Sequence, residues 1–229
     1  MGHQPAGQAP RFSLPVKQSR SQKTRDRLLA AGFRLLRRKD FDQLSVADIA
    51  RAADCAVGSF YQRFFDKDQY FYALAEMRRA QSGAQLEDWY DSATPETIVA
   101  RAIERELGFV LDSPDFWRAA LKRGTTDQAF WEGFRTLGRV SVDRFLETYA
   151  GLRKRKLTDE EAERIRFAFQ MVRGTLNNTL MNQPGPLRLE DAGFRRQMER
   201  AFRLVAGIEG GNGVAVARAP RKRRASASD

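Results

Sequence analysis

An all-α fold of about nine helices is what this sequence predicts, and three observations carry the prediction. Helix-start signals recur along the chain. Ser45 with Asp48, Asp66 with Gln69 and Thr158 with Glu161 have capping-box spacing, while Thr94-Pro95 and Ser113-Pro114 pair a capping hydroxyl with a proline suited to the first helical position. Between these signals the apolar residues return every three or four positions, the period of one helix face. No segment shows the two-residue alternation and turn punctuation of strands.

The first helix is expected over roughly Ser21 to Arg38, with Leu28, Leu29, Phe33 and Leu36 on one face and Phe41 and Leu44 carrying the apolar surface into a loop. Ser45 then opens a short helix whose stripe is Ile49, Ala50 and Ala53. Asp54-Cys55-Ala56-Val57 breaks the period, and aspartate is among the few non-glycine residues that tolerate positive φ. A second short helix follows from about Val57 to Phe64, and a third, after Asp66, carries Tyr70, Phe71, Leu74 and Met77. Thr94-Pro95 opens a helix with Val99, Ala102, Ile103 and Val110, and Ser113-Pro114 opens one with Phe116 and Trp117. The helix expected from Thr126 to Ala150 is apolar on more than one face and should be buried on several sides. Thr158 starts a helix that runs through Ile165, Phe169, Val172, Leu176 and Leu180 until Asn182-Gln183-Pro184-Gly185-Pro186 stops it. The last helix, Glu190 to Ala206, lines up Phe194, Met198, Ala201, Phe202 and Val205.

Composition narrows the function classes. The net charge of +11 divides into +7 over residues 1–80, +1 over 81–206 and +3 over 207–229, so the attraction for polyanions sits at the two ends. No apolar run is long enough to cross a membrane and residues 1–20 lack a signal peptide's apolar core, so a cytoplasmic chain with no membrane contact is expected. Cys55 and His3 are the only residues of their kinds, which removes an intrachain disulfide and most nucleophile–base dyads and zinc sites. No catalytic residue, metal or cofactor is expected, and carboxylate pairs such as Glu104 with Glu106 read as solvated or capping charges.

Leu44 to Lys67 has the form of a DNA-reading helix-turn-helix: two short helices, a tight turn, and a second helix that opens on small and polar residues. Val57, Ser59, Gln62 and Arg63 are the candidates for base edges, since glutamine can pair with adenine, arginine with guanine, and valine can touch a thymine methyl. Gln62 and Arg63 could equally contact only backbone. Lys23, Arg25 and Arg51 are phosphate candidates on charge alone.

Residues 21–77 resemble the DNA-binding domain of the tetracycline-repressor (TetR) family of bacterial transcriptional regulators. The resemblance rests on Ser45 capping the second helix, the Ile49-Ala50 pair, the run Gly58-Ser59-Phe60-Tyr61, Phe64 closing the third helix and Lys67 opening the fourth. Asp54 stands where that family usually has glycine, and Ala56 where it often has a polar residue. The resemblance implies that Ser45, Tyr61 and Lys67 contact phosphate, that the protein is a homodimer on a palindromic double-stranded operator, and that the last two helices form the dimer surface.

The organisation expected is a disordered arm over 1–18, the helix-turn-helix domain over 19–66, a helical ligand-binding and dimerisation domain over 67–206 and a disordered basic tail over 207–229. Candidate dimer residues are Val172, Leu176, Leu180, Phe194, Met198, Phe202 and Val205; the same stripes could be ordinary core. Phe109, Trp117, Phe130, Trp131, Phe134, Met171 and Asn178 are candidates for the pocket of an unknown, partly apolar small-molecule effector, with Glu104 and Arg118 as possible orienting groups. The function expected is a ligand-responsive repressor; the alternative is an architectural protein that coats DNA through its basic tails.

Overall fold

The computed structural model describes residues 15–86 and 88–208; residues 1–14 of the expected arm, with His3, and residues 209–229 of the expected basic tail lie outside them, while 15–18 of that arm are helical. Among the described residues there are nine α-helices and no strand. The first three are α1 (Pro15–Leu36), α2 (Val46–Ala52) and α3 (Val57–Tyr61), with a single 3-10 turn at Phe41–Gln43. Helix α1 begins at Pro15, earlier than Ser21, because proline without its N–H suits a first helical turn. The long α4 (Lys67–Leu86) connects this head to a larger body made of α5 (Ile98–Leu111), α6 (Pro114–Thr126), α7 (Gln128–Leu152), α8 (Asp159–Asn182) and α9 (Ala192–Ala206).

Capping chemistry sets most boundaries and corrects two of them. At Ser45 and at Thr158 both halves of the capping box are formed. Thr94-Pro95, in contrast, makes a turn: the Ile98 amide donates to the Thr94 carbonyl, and the helix proper starts at Ile98. Helix α7 starts at Gln128 rather than Thr126, since Asp127 Oδ1 accepts from the Phe130 amide at 2.9 Å and serves as N-cap.

A continuous apolar core ties head to body. Phe33 of α1 meets Phe116 of α6 at a ring separation of 5.5 Å, and Phe71 of α4 meets both Phe116 and Phe130 at 5.5 Å. Tyr70 of α4 is fully buried against α1, where its hydroxyl donates to the Leu28 carbonyl at 2.7 Å and Gly32 leaves room for it. Burial pushes that phenol well above the ordinary tyrosine range. No helix among the described residues is long and apolar enough to cross a membrane.

Candidate functional site

The head is built around its caps. Ser45 Oγ accepts from the Asp48 amide at 3.0 Å, and Asp48 Oδ2 accepts from the Ser45 hydroxyl at 2.8 Å and the Ser45 amide at 3.2 Å, which together, the hydroxyl first, hold the Asp48 carboxyl below its ordinary range. Helix α2 ends where Asp54 adopts φ 51, letting the Cys55 amide reach the Ala50 carbonyl at 3.0 Å. That left-handed residue re-aims the chain into α3. Phe60 and Phe64 turn inward, at 0% and 2% exposure, and hold α3 against α1 and α4. The opposite face is open: Val57 is 42% exposed and Tyr61 56%, Gln62 is exposed, and Ser59 is half-buried beside them.

Two basic residues of the head are engaged within the chain. Arg63 donates to the Ser59 carbonyl at 2.7 Å and to the Ser21 carbonyl at 3.2 Å, so its guanidinium staples α3 to α1. Lys67 Nζ donates to the carbonyls of Phe41, Asp42 and Leu44 at 3.1, 3.2 and 3.0 Å, and lies 4.9 Å from the Phe41 ring centre. An ammonium has three donors. All are spent on the loop before α2, which leaves none for the phosphate role the resemblance implied. Lys23 is exposed, Arg25 lies over the Phe64 ring at 5.9 Å, and Arg51 is exposed with Asp48 at 3.4 Å.

The body holds a cavity of about 650 Å³ between α5, α6, α7 and α8. Phe109, Trp117, Trp131 and Phe134 line it, with Trp117 4.9 Å from Phe109, 5.4 Å from Trp131 and 5.1 Å from Phe134 between ring centres. The Trp117 indole donates to Asn177 Oδ1 at 2.9 Å. Among its polar residues Arg173 grips Glu106 with two bonds of 2.9 and 2.8 Å, while Gly138, whose Cβ would collide with that guanidinium, gives it passage. Helix α4 reaches the same region: Arg105 donates to the Ser82 carbonyl at 3.2 Å and Arg78 to the Phe109 carbonyl at 2.9 Å.

With this geometry in hand, comparison with known proteins is decisive for the head. Residues 28–74 match the family described as bacterial regulatory proteins, tetR family. The head, over residues 28–74, is a tetR-family segment. A Haemophilus influenzae protein named as an uncharacterized HTH-type transcriptional regulator is 26% identical over 142 residues; the match takes in 59% of this chain and 65% of that relative's length. In fold, the chain is similar to GusR of Salmonella enterica, with TM-score 0.59 and 13% identity over 86% of this chain and all (100%) of the other. A TetR-family regulator from Streptomyces coelicolor shows TM-score 0.58 and 18% identity over 79% and 81% of the two chains.

In the body several expected positions move. Phe130 is 1% exposed and packs between Phe71, Tyr72 and Phe134, in core rather than cavity. Met171 and Asn178 are absent from the cavity wall; Met171 packs against the core and Asn178 accepts from Asn182 at 2.8 Å. One step along α8, Asn177 takes the expected place. Glu104 is exposed and Arg118 is paired with Asp115 at 2.5 Å, so neither orients anything in the cavity; the buried Glu106, expected to be solvated, does. Val172, Leu176, Leu180, Phe194, Met198 and Phe202 are all buried inside the single chain, because α8 and α9 pack their main stripes against each other and α5. Only Val205 of the expected dimer set is half-exposed. The open faces carry other residues: Phe167 at 56%, Met181 at 39% and Leu204 at 57% exposure.

Proposed function

We propose that this chain is a homodimeric, ligand-responsive transcriptional repressor that binds a palindromic operator through α3. The observation that carries the reading is the open face of α3, where Val57, Ser59, Tyr61 and Gln62 project from a head whose other side is locked by Phe60, Phe64, Arg63 and Lys67. Val57, Ser59 and Gln62 read base edges, Arg63 does so only after releasing Ser59 and Ser21, and Tyr61, Lys23, Arg25 and Arg51 face phosphate, which Ser45 reaches only after its hydroxyl releases Asp48. Repression requires only occupancy of the operator. The cavity supports an effector of small-molecule size, and α4 supports its coupling, since one end of that helix clamps the loop before α2 and the other touches the cavity wall.

Dimerisation is assigned to the outward stripes. On α8 Phe167, Met171, Gly174, Asn178 and Met181 follow alternating four- and three-residue steps, the seam of a helix pair, and on α9 Gly193, Gln197, Arg200 and Leu204 do the same. A second copy packing these stripes gives a four-helix contact across a two-fold axis. Sedimentation velocity of the double variant Phe167→Glu, Leu204→Glu tests this directly. The reading predicts a folded monomer with DNA affinity lowered by orders of magnitude; a variant that stays dimeric, or binds DNA as tightly while monomeric, removes it.

A further inference from the structure

Resting on the effector reading above, we propose that the cavity takes an organic monocarboxylate with a flat apolar body, and that Arg105 is the residue that binds its carboxylate. The aromatic wall supplies the shape. Trp117, Trp131 and Phe134 touch one another at ring separations of 5.1 to 5.4 Å and present faces and edges that suit a planar guest.

Charge supplies the chemistry. Arginines dominate the polar lining, and all but one of them are neutralised by carboxylates. Arg173 holds Glu106 at 2.8 Å, Arg166 faces Asp143 at 3.5 Å, and Arg135 and Arg139 share Glu132 at 2.7 and 2.8 Å. Arg105 has no carboxylate partner among the described residues. It donates only to Ser141 Oγ and to the Ser82 carbonyl, both at 3.2 Å, so two bonds occupy a guanidinium that has five donors. Burial pulls it below the ordinary arginine range, and Glu106, which is bonded to Arg173 and forms no ion pair with Arg105, offsets that only in part. Arginine nonetheless stays protonated in proteins. The charge is therefore permanent, and a guest anion is what completes it. Nearby, the Tyr90 hydroxyl is buried with no hydrogen-bond partner among the described residues, in the field of Glu106, Arg105 and Arg173.

One unpaired guanidinium matches one negative charge, which favours a carboxylate over a phosphate dianion, and its planar fork suits the two carboxylate oxygens. A simple inorganic anion would leave most of a cavity of about 650 Å³ and its aromatic wall unfilled. Binding also has a mechanical consequence. A carboxylate that draws Arg105 toward the cavity breaks its bond to Ser82, which belongs to α4.

Calorimetric titration of the full chain with 2-naphthoate and with its uncharged twin 2-naphthamide tests the assignment. Naphthoate is expected to bind about tenfold more tightly, the effect of one charge-assisted pair in a partly buried site. Arg105→Gln is expected to erase that preference while leaving naphthamide binding within about twofold, which also certifies that the cavity is intact. Glu106→Gln frees Arg173 and is expected to tighten naphthoate alone. Equal affinities in the wild type, or a preference that survives in Arg105→Gln, would overturn the assignment and leave the effector cavity standing. Binding of neither probe would overturn both.

Discussion

Lys67 can act as a clamp on the loop before α2 or as a phosphate contact, and its loss has a different measurable effect in each case. Its ammonium closes three bonds of 3.0 to 3.2 Å on the carbonyls of Phe41, Asp42 and Leu44, fixing the loop that delivers Ser45 to the start of α2. Bonds from a charged donor contribute about 1.5–3 kcal/mol each, but three bonds from one half-exposed side chain share a single ordering cost, so Lys67→Met should lose about 2–4 kcal/mol. That is a large part of the roughly 5–15 kcal/mol that keeps a domain folded. Lys67→Arg should lose much of the same, because a planar fork cannot aim donors at three carbonyls converging on one point. The assays are urea denaturation and DNA affinity as a function of salt. A phosphate contact would lower the slope of log affinity against log salt by about 0.9 per lost contact. The geometry predicts the stability loss with the slope unchanged in whatever variant remains folded. A shallower slope with unaltered stability would refute this reasoning and restore Lys67 to the phosphate set.

Other consequences follow from the same contacts. Gly32→Ala places a methyl against the Tyr70 hydroxyl and should cost about 1–3 kcal/mol by overpacking, with Tyr70→Phe recovering part of it in the double variant; thermal denaturation of the set measures the coupling. Asp54→Gly relieves a left-handed backbone and should stabilise the head by about 0.5–1 kcal/mol after the glycine entropy cost, read as a higher urea midpoint. Glu161, bonded to Arg155 and to the Thr158 amide, has its carboxyl pulled down to about 2 from an ordinary value of 4.5. A depressed carboxylate stabilises the fold above its unfolded value and loses that contribution as pH falls through the folded one. The midpoint difference between wild type and Glu161→Gln should therefore be full above pH 4.5 and vanish near about 2; a constant difference would show that charge is not its origin.

What could be read from the sequence was local. The Ser45 and Thr158 caps, the positive φ of Asp54 and the inward turn of Phe60 and Phe64 each depend on residues a few positions apart, and all appear as expected. The aromatic wall was legible for Phe109, Trp117, Trp131 and Phe134 because large rings at helical spacing must bury somewhere. Its charge was not. Glu106 and Arg173 stand 67 positions apart, and nothing in either neighbourhood announces that they meet. The residues expected at a dimer surface are hidden for a related reason: α8 and α9 each carry two faces, and the stronger apolar one is consumed within the chain, so the exposure of Phe167, Met181 and Leu204 is visible only once that packing is known. Lys67 illustrates the limit of motif reading, since its position is as the resemblance requires while its donors are spent elsewhere.

Selection of bound duplexes from random DNA by the purified full chain decides whether the open face of α3 reads sequence. The account predicts an enriched palindrome whose half-sites are centred about one helical turn, or a multiple of it, apart, with Gln62→Ala altering the preference inside each half-site and not their spacing. Recovery of no common sequence, or of the same sequence preference from a variant in which Val57, Ser59 and Gln62 are all replaced by alanine, would contradict it.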